Sequence, residues 1–179
     1  MRGFIFLLAI AMLSLSVSAQ DELYGFRPIG NDLCWQHVYE TDLSPNDILS
    51  HFEKSGVFES VQKDSMSIRG NSRKLTLNYR AAGKSYMSAP IIFNSPYSYV
   101  AEIEIRGNRY RVLLKNIMFY PNVNVQFSRV STNSNSTMAV SEMFYNFRTG
   151  KAKNRKAAEL MDKCLLMDFT INDSAKDEW

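Results

Sequence analysis

The sequence predicts an α+β fold, in which one curved antiparallel sheet carries helices on one of its faces. Short stretches of alternating apolar and polar residues recur through the middle of the chain, as in half-buried strands. A two-residue turn at Gly107-Asn108 joins two of these stretches directly. Amphipathic helical patterns lie before and after the group of strands. An element order of strand, helix, several antiparallel strands and helix is typical of α+β domains.

Residues 1–19 are predicted to be a secretory signal peptide. Arg2 gives a positive start, Phe4 to Leu15 is almost continuously apolar, and small side chains precede Gln20, where cleavage is expected. The apolar core is too short to act as a transmembrane anchor. We therefore expect an exported protein, periplasmic or extracellular, that begins at Gln20. Because Gln rather than Cys follows the cleavage point, lipid anchoring at this end is not expected.

The remaining chain is predicted to be a single domain with short flanking segments. Residues 20–31, which contain two glycines and a proline, are predicted to be an extended N-terminal leader. Residues 32–171 are predicted to form one α+β domain, and residues 172–179 an acidic tail. The formal net charge of +3 is small, and the basic cluster at 151–156 is predicted to be the solvated start of a helix.

The first strand and the first helix have recognisable boundaries. Residues 33–40 are aromatic and β-branched enough for a strand. Ser44 can cap a helix that begins at Pro45, and Asp47 suits the positive end of the helix dipole. Gly56 fits the left-handed position that follows a helix.

Three further strands are predicted at 57–62, 65–69 and 73–80. In the last of these, apolar and polar residues alternate as in a half-buried strand. Residues 81–96 contain a glycine and two prolines and are predicted to be a loop, with a short extended piece at 89–93.

The hairpin around Gly107-Asn108 is the most clearly defined element. Both turn residues tolerate positive φ, and a two-residue turn fixes the register of the strands it joins. The pairs expected to face each other are Arg106 with Arg109, Ile105 with Tyr110, Glu104 with Arg111, Ile103 with Val112, and Ala101 with Leu114. The apolar pairs then share one face, and Glu104 and Arg111 attract each other on the other face.

Two helices are predicted in the C-terminal part. The polar stretch 131–137 is predicted to be a loop, residues 139–147 a short helix, and residues 154–169 a longer one with a broad apolar stripe.

The two cysteines, Cys34 and Cys164, leave two alternatives open. In an oxidising compartment they could form a disulfide, which would close a long loop and stabilise the fold by roughly 4–5 kcal/mol in the chain-entropy model. Alternatively they are separate buried thiols, because free cysteine is among the most buried residue types.

The signal peptide, the strand–helix start and two motifs carry a resemblance to a known family. The motifs are Asp64-Ser-Met-Ser-Ile-Arg-Gly70 and the segment 102–117, which contains Gly107, Arg109, Tyr110 and Arg111. Over about residues 33–120 the chain resembles an exported Bacteroidota family of unknown function with a TBP-like fold (DUF4468). One departure is His51-Phe52 in the first helix, where a Trp or Tyr is expected. The resemblance implies a TBP-like fold and an organism group, but no activity and no catalytic residues.

The resemblance also raises the O-glycosylation motif of that phylum, which is Asp, then Ser or Thr, then a small or apolar residue. Asp64-Ser65-Met66 and Asp173-Ser174-Ala175 match it. Ser65 and Ser174 are therefore candidate glycosylation sites, and the alternative is that they are ordinary turn and tail residues.

Motifs for catalysis, metals and cofactors are missing from the sequence. His37 and His51 do not have zinc-site spacing, the cysteines form no CxxC motif, and neither a Gly-x-Ser-x-Gly elbow nor a phosphate loop occurs. We therefore expect no metal and no cofactor, and we interpret His37 as structural. Members of a Ser-His-Asp triad meet only in space, so the sequence leaves that possibility open.

Glu102 and Glu104 lie two residues apart on one strand and so share a face. They could act as a pair of catalytic carboxylates. The alternative, which the hairpin register favours, is that Arg111 and Arg106 neutralise them.

A surplus of aromatic residues in or beside Pro-punctuated segments suggests a binding surface. The candidates are Tyr86, Phe93, Tyr97 and Tyr120. They lead to the prediction of a non-enzymatic exported module that binds a protein or glycan partner in the cell envelope. The alternatives are a small secreted hydrolase acting on glycans or peptides, and a structural component that associates through a sheet edge. A small net charge without a basic stripe argues against nucleic acid, no second apolar stretch could span a membrane, and the oligomeric state stays open.

Overall fold

The computed structural model describes residues 23–121 and 137–171. The predicted signal peptide, its cleavage point, Ser174 and the acidic tail lie outside these residues. The first part contains β1 (Phe26–Ile29), β2 (Asp32–Glu40), α1 (Pro45–Lys54), β3 (Phe58–Lys63), β4 (Ser67–Ser72), a 3-10 helix (Ile91–Asn94), β5 (Tyr97–Arg106) and β6 (Arg109–Phe119). The second contains β7 (Met138–Ala139), α2 (Val140–Phe144), β8 (Tyr145–Asn146), β9 (Lys151–Ala152) and α3 (Arg155–Phe169).

One open antiparallel sheet organises the fold. Its strand order is β1-β2-β6-β5-β4-β3, β7 pairs with the far end of β6, and β8 and β9 form a separate two-stranded ribbon. The predicted hairpin is confirmed at the centre of the sheet, with Ile103 opposite Val112 and Glu104 opposite Arg111. Gly107 has a φ of 60°, as its turn requires.

All three helices pack on one face of this sheet, which confirms the predicted α+β class. Phe26 contacts Phe144 of α2, with ring centroids 5.3 Å apart. Tyr110 contacts Phe52 of α1 at 5.6 Å, and Tyr99 contacts Phe169 of α3 at 5.9 Å. Because side chains alternate along a strand, the neighbouring positions point to the other side of the sheet. We call the two sides the helix face and the open face.

The capping prediction for α1 is also confirmed. The Ser44 hydroxyl accepts a hydrogen bond from the Asp47 amide at 3.3 Å, and Pro45 begins the helix. Gly56 follows the helix with a φ of 69°.

A buried carboxylate ties the N-terminal segment to α3. Asp162 Oδ1 accepts hydrogen bonds from the Trp35 indole N–H at 2.8 Å and from the Gly25 amide at 3.0 Å. A Cβ atom on Gly25 would lie 2.5 Å from Trp35 Nε1, so this close approach requires glycine. The segment predicted as an extended leader is thus anchored, and it contains edge strand β1.

The predicted strand at 73–80 is wrong. Only Leu75 makes a ladder contact, an isolated bridge in which its amide and carbonyl both bond to Tyr97. Leu77 and Tyr79 are nevertheless buried. The alternating pattern therefore reports a loop packed on the core, because burial of every second side chain does not require a paired backbone.

Two boundaries in other predicted elements also differ. The sequence predicts an extended piece at 89–93, but residues 91–94 form the 3-10 helix after Pro90. The helix predicted at 139–147 ends at Phe144, because Tyr145 and Asn146 pair with β9.

The cysteines are both buried and free, so of the two alternatives the structure shows separate thiols and not a disulfide. Cys34 alternates with Trp35 on β2 and lies on the open face, where its Sγ atom is 3.8 Å from an Asp32 carboxylate oxygen. Cys164 belongs to the buried stripe of α3 on the helix face. The sheet itself separates the two thiols.

In the described ranges we also find no helix of the length and hydropathy needed to cross a bilayer.

Candidate binding cleft

A cleft of about 220 Å³ opens on the helix face. It lies where the end of α1, the start of β3, the start of β5 and the end of α3 meet the loop at 75–76. The side chains that line it are His51, Phe52, Ser55, Val57, Phe58, Leu75, Thr76, Tyr97, Tyr99, Asp168 and Phe169.

The turn after α1 forms one side of the cleft. The Ser55 hydroxyl donates to the Phe52 carbonyl at 2.8 Å and accepts from the Val57 amide at 3.3 Å. Together with the left-handed Gly56, these bonds direct the chain sharply from α1 into β3. Ser55 is thus engaged in a structural role.

Aromatic side chains make the walls, and their rings pack on each other. The ring of Phe169 lies 6.0 Å from Phe52 and 5.9 Å from Tyr99, and Tyr97 lies 5.9 Å from Tyr99. All four residues are at most 4% exposed. The walls therefore offer ring edges and hydroxyl groups to an occupant, while the ring faces are used in the core.

Asp168 stands at the mouth of the cleft without an ionic partner. Its carboxylate accepts one long hydrogen bond, 3.5 Å, from the Tyr97 hydroxyl. Among the residues that the structure describes, Asp168 makes no salt bridge. The side chain reaches solvent, yet the surrounding protein raises the pKa of this carboxyl, and the Tyr97 hydrogen bond only partly opposes the effect.

The same carboxylate also affects Tyr99, the second tyrosine of the cleft. Burial and, to a smaller extent, the charge of Asp168 raise the pKa of Tyr99. The Tyr99 hydroxyl makes no hydrogen bond within the described part of the chain, where every fully buried side-chain polar atom has a partner. It must therefore reach the solvent of the cleft, and we infer that it faces the same space as Asp168.

His51 lines the rim, but no catalytic relay is assembled. Its ring makes an edge contact with Phe52 at 5.3 Å, and no hydrogen bond joins it to Asp168 in the described residues. Across 23–121 and 137–171, no three His, Cys, Asp or Glu side chains cluster in a way that could hold a metal ion.

The four aromatic candidates do not form one surface. Phe93 is fully buried and stacks on Phe119, because the 3-10 helix folds it inward; its assignment to a surface is wrong. Tyr97 is 1% exposed, so it lines the cleft but offers no exposed ring. Tyr120 is half-buried and bonds to Ser98. Tyr86 is 57% exposed and is not part of the cleft.

The remaining sequence candidates have separate places. Ser65 is exposed in the β3–β4 turn, where its hydroxyl is accessible. Its O-glycosylation stays a prediction. His37 packs between Trp35 and Tyr39, with ring centroids 6.2 and 4.6 Å away, as a structural residue would. Glu104 is ion-paired to Arg111 and Arg106 on the open face, as the hairpin register indicated. Glu102 is paired instead with Lys115 and Arg69, so that part of the prediction is wrong.

Sequence reasoning missed Asp168, although one signal was present. It lies in the last turn of α3, where the negative end of the helix dipole disfavours an anion. An acidic residue in that position, inside an otherwise apolar C-terminal turn, indicates a role other than helix stability.

Comparisons with known proteins identify structural similarity only. No protein-family model matches this chain, and no curated protein matches it. A TBP-like protein from Parabacteroides distasonis has a TM-score of 0.49 at 17% identity, covering 88% of this chain and 100% of its own. A DUF4468 family protein from Bacteroides ovatus has a TM-score of 0.41 at 11% identity, covering 84% and 93%. The α+β assignment rests on this chain's own sheet and helices.

Proposed function

We propose that this chain is an exported, non-enzymatic binding module that holds a cationic side chain of a protein partner in the cleft. The observation that carries the proposal is the Asp168 carboxylate, which stands without a salt bridge at the mouth of an aromatic cleft.

The charge of Asp168 is unfavourable in the free protein. It lies at the negative end of α3, and packing around it disfavours the ionised form. An ammonium or guanidinium group beside it opposes both effects. Binding of such a cation would lower the pKa of Asp168 and release any proton the carboxyl still holds.

The dimensions and walls of the cleft favour a single amino-acid side chain. Its volume of about 220 Å³ is below the range typical of pockets for drug-sized ligands. The apolar walls suit the methylene stem of a lysine or arginine, whose charged head then reaches Asp168 and the tyrosine hydroxyls. A neutral sugar has no charge to pair with Asp168 and would depend on stacking against an exposed aromatic face, which the buried rings of Phe52, Tyr97 and Tyr99 do not provide. The cleft therefore favours a protein partner over a glycan.

Titration with side-chain analogues tests the proposal. We expect butylammonium and butylguanidinium to shift the NMR signals of the Tyr97, Tyr99 and Phe169 amides, and butanol to leave them unchanged. Asp168→Asn should weaken butylammonium binding at least tenfold, since a hydrogen bond to a charged group contributes about 1.5–3 kcal/mol. Asp64→Asn, which alters an exposed carboxylate in the β3–β4 turn, is the matched control. Equal binding by Asp168→Asn and the wild type, or equal responses to butanol and butylammonium, would contradict the proposal.

A small hydrolase is the second candidate, because His51 and Asp168 line the same cleft. The lining contains one carboxylate, whereas most glycosidases use two, and Ser55 is engaged by the turn after α1. Assays with nitrophenyl esters and glycosides separate the two functions. Hydrolysis that disappears in both His51→Ala and Asp168→Asn would establish the enzyme, and its absence in the wild type leaves the binding module.

A further inference from the structure

The open face carries a second site, an arginine crevice at the turn end of the β5–β6 hairpin. It measures about 230 Å³ and is lined by Val38, Glu104, Arg106, Arg109 and Arg111. The sheet separates it from the cleft, because its charged residues occupy the strand positions that alternate with the helix-face residues Ile105 and Tyr110.

The register of the hairpin forces positive charges together in this crevice. The two-residue turn places Arg106 directly opposite Arg109, and Arg111 follows two residues later on the same face. Like charges directly opposite each other on a sheet are destabilising. A turn end that served stability alone would carry opposite charges at 106 and 109, so this pair is a local departure of the kind found at functional sites.

One carboxylate only partly offsets these three guanidinium groups. Glu104 lies 2.9 Å from Arg111 and 3.7 Å from Arg106, whose side chain is 87% exposed. Within the described residues Arg109 makes no salt bridge, although Glu40 is its register partner on β2.

A neighbouring group of ion pairs on the same face, centred on Glu102, is more compact. There Glu102 is held by Lys115 at 2.8 Å and by Arg69 at 3.0 Å, and its side chain is only 18% exposed. The arginine crevice differs because three guanidinium groups line it together with one carboxylate, Glu104, whose side chain is 36% exposed and so more open to solvent than that of Glu102.

We propose that the arginine crevice binds an oxyanion group, a carboxylate or sulfate, of an acidic glycan. The planar guanidinium fork matches both groups through paired hydrogen bonds, and an anion between Arg106 and Arg109 removes their mutual repulsion. Val38, 46% exposed, gives the C–H face of a sugar an apolar contact. Gln36 and Ser67, in neighbouring positions of the open face, offer donors and acceptors that suit sugar hydroxyls.

Binding of defined acidic oligosaccharides tests this site. The probes are a heparin-derived hexasaccharide and a hexamer of galacturonic acid, with neutral cellohexaose as the uncharged control and hexaglutamate as the acidic peptide. We expect one or both acidic sugars to bind by calorimetry, more weakly as salt is raised. The double variant R106Q/R109Q should lose at least tenfold in affinity, and Arg148→Gln, which alters an exposed arginine in the β8–β9 turn, should lose less than twofold.

Stability measurements keep the test independent of folding. R106Q/R109Q should melt at or above the wild-type temperature, because it removes a repulsive pair. A clear fall in its melting temperature would make the arginines structural and overturn the proposal. So would equal losses in R106Q/R109Q and Arg148→Gln, no binding of either acidic sugar, or tighter binding of hexaglutamate than of both acidic hexasaccharides. Failure of the cleft experiment leaves this one unaffected, since no variant is shared.

Discussion

Replacing Asp162 by alanine should be among the most destabilising single changes in this domain that leave the apolar core intact. Asp162 is only 9% exposed and accepts two hydrogen bonds, from the Trp35 indole at 2.8 Å and from the Gly25 amide at 3.0 Å. Trp35 is fully buried, so water does not replace the lost acceptor there without a rearrangement. The substitution therefore removes the link between the N-terminal segment, β2 and α3.

The expected loss follows from these two bonds. A hydrogen bond to a charged acceptor contributes about 1.5–3 kcal/mol, and a buried donor left without a partner costs about 1–3 kcal/mol. For Asp162→Ala we expect a loss of about 3–5 kcal/mol, a large part of the ~5–15 kcal/mol that stabilises a typical domain. Asp162→Asn keeps the acceptor oxygen but loses the charge, and should cost about 1–2 kcal/mol.

Urea unfolding followed by circular dichroism measures both effects. With a slope of about 2 kcal/mol per molar urea, Asp162→Ala should lower the midpoint by about 2 M. Lys156→Ala, which alters an exposed side chain on the same helix, should keep a midpoint close to the wild type. Hydrogen exchange at the Gly25 amide should accelerate in Asp162→Ala and not in Lys156→Ala. A loss below about 1 kcal/mol in Asp162→Ala would refute the assignment of this carboxylate as a structural link.

Two further predictions concern the core and the thiols. Ile103→Ala should lower the free energy of unfolding by about 2–5 kcal/mol in urea, because the side chain is fully buried. Thr76 is exposed, and Thr76→Ala should lower it by well under 1 kcal/mol. Equal small losses in the two variants would contradict the face assignment. Burial raises the pKa of Cys34 to about 11 and that of Cys164 to about 12, from 9.0, so the folded protein keeps protons that the unfolded chain releases above pH 9. Stability should therefore fall as pH rises from 9 towards 11, by at most about 1.4 kcal/mol per pH unit for each thiol, and the double variant C34A/C164A should show a smaller fall. Urea midpoints measured at pH 8 and pH 10 that coincide would refute this.

Local chemistry made the central hairpin and α1 predictable from the sequence. Gly107-Asn108 determines the turn length and hence the register, and the apolar pairs such as Ile103 with Val112 agree with it. Ser44 and Pro45 set the start of α1 in the same way. Where turn or cap chemistry and apolar periodicity point to the same answer, one sequence is sufficient.

The failures share a different cause, which is that burial was decided by distant parts of the chain. Leu77 and Tyr79 alternate as in a strand, but they pair with no strand among the residues that the structure describes. Phe93 follows Pro90 in a segment rich in loop residues, but its ring stacks on Phe119 in the core. The disulfide prediction rested on export and on the apolar environment of Cys164, and neither determines which side of the sheet Cys34 occupies. The cleft likewise brings together residues from four separate elements, and no spacing rule connects them.

The two proposed sites use the two faces of one hairpin. On β5, Tyr97 and Tyr99 point into the cleft, whereas Glu104 and Arg106 contribute to the arginine crevice. Their charges are complementary to different partners, because the cleft has a carboxylate without a salt bridge and the crevice has an excess of guanidinium groups. A ligand on one face leaves the other face accessible, so both can be occupied together. Such a module would hold a basic protein segment and an acidic glycan on opposite sides of the same sheet.

The central sheet is paired across β2, β6, β5 and β4, so we expect little movement between the sites and a coupling free energy near zero. Butylammonium should therefore bind R106Q/R109Q as it binds the wild type, and the acidic hexasaccharides should bind Asp168→Asn unchanged; a tenfold effect of either ligand on the other would mean that the faces communicate through the strands they share.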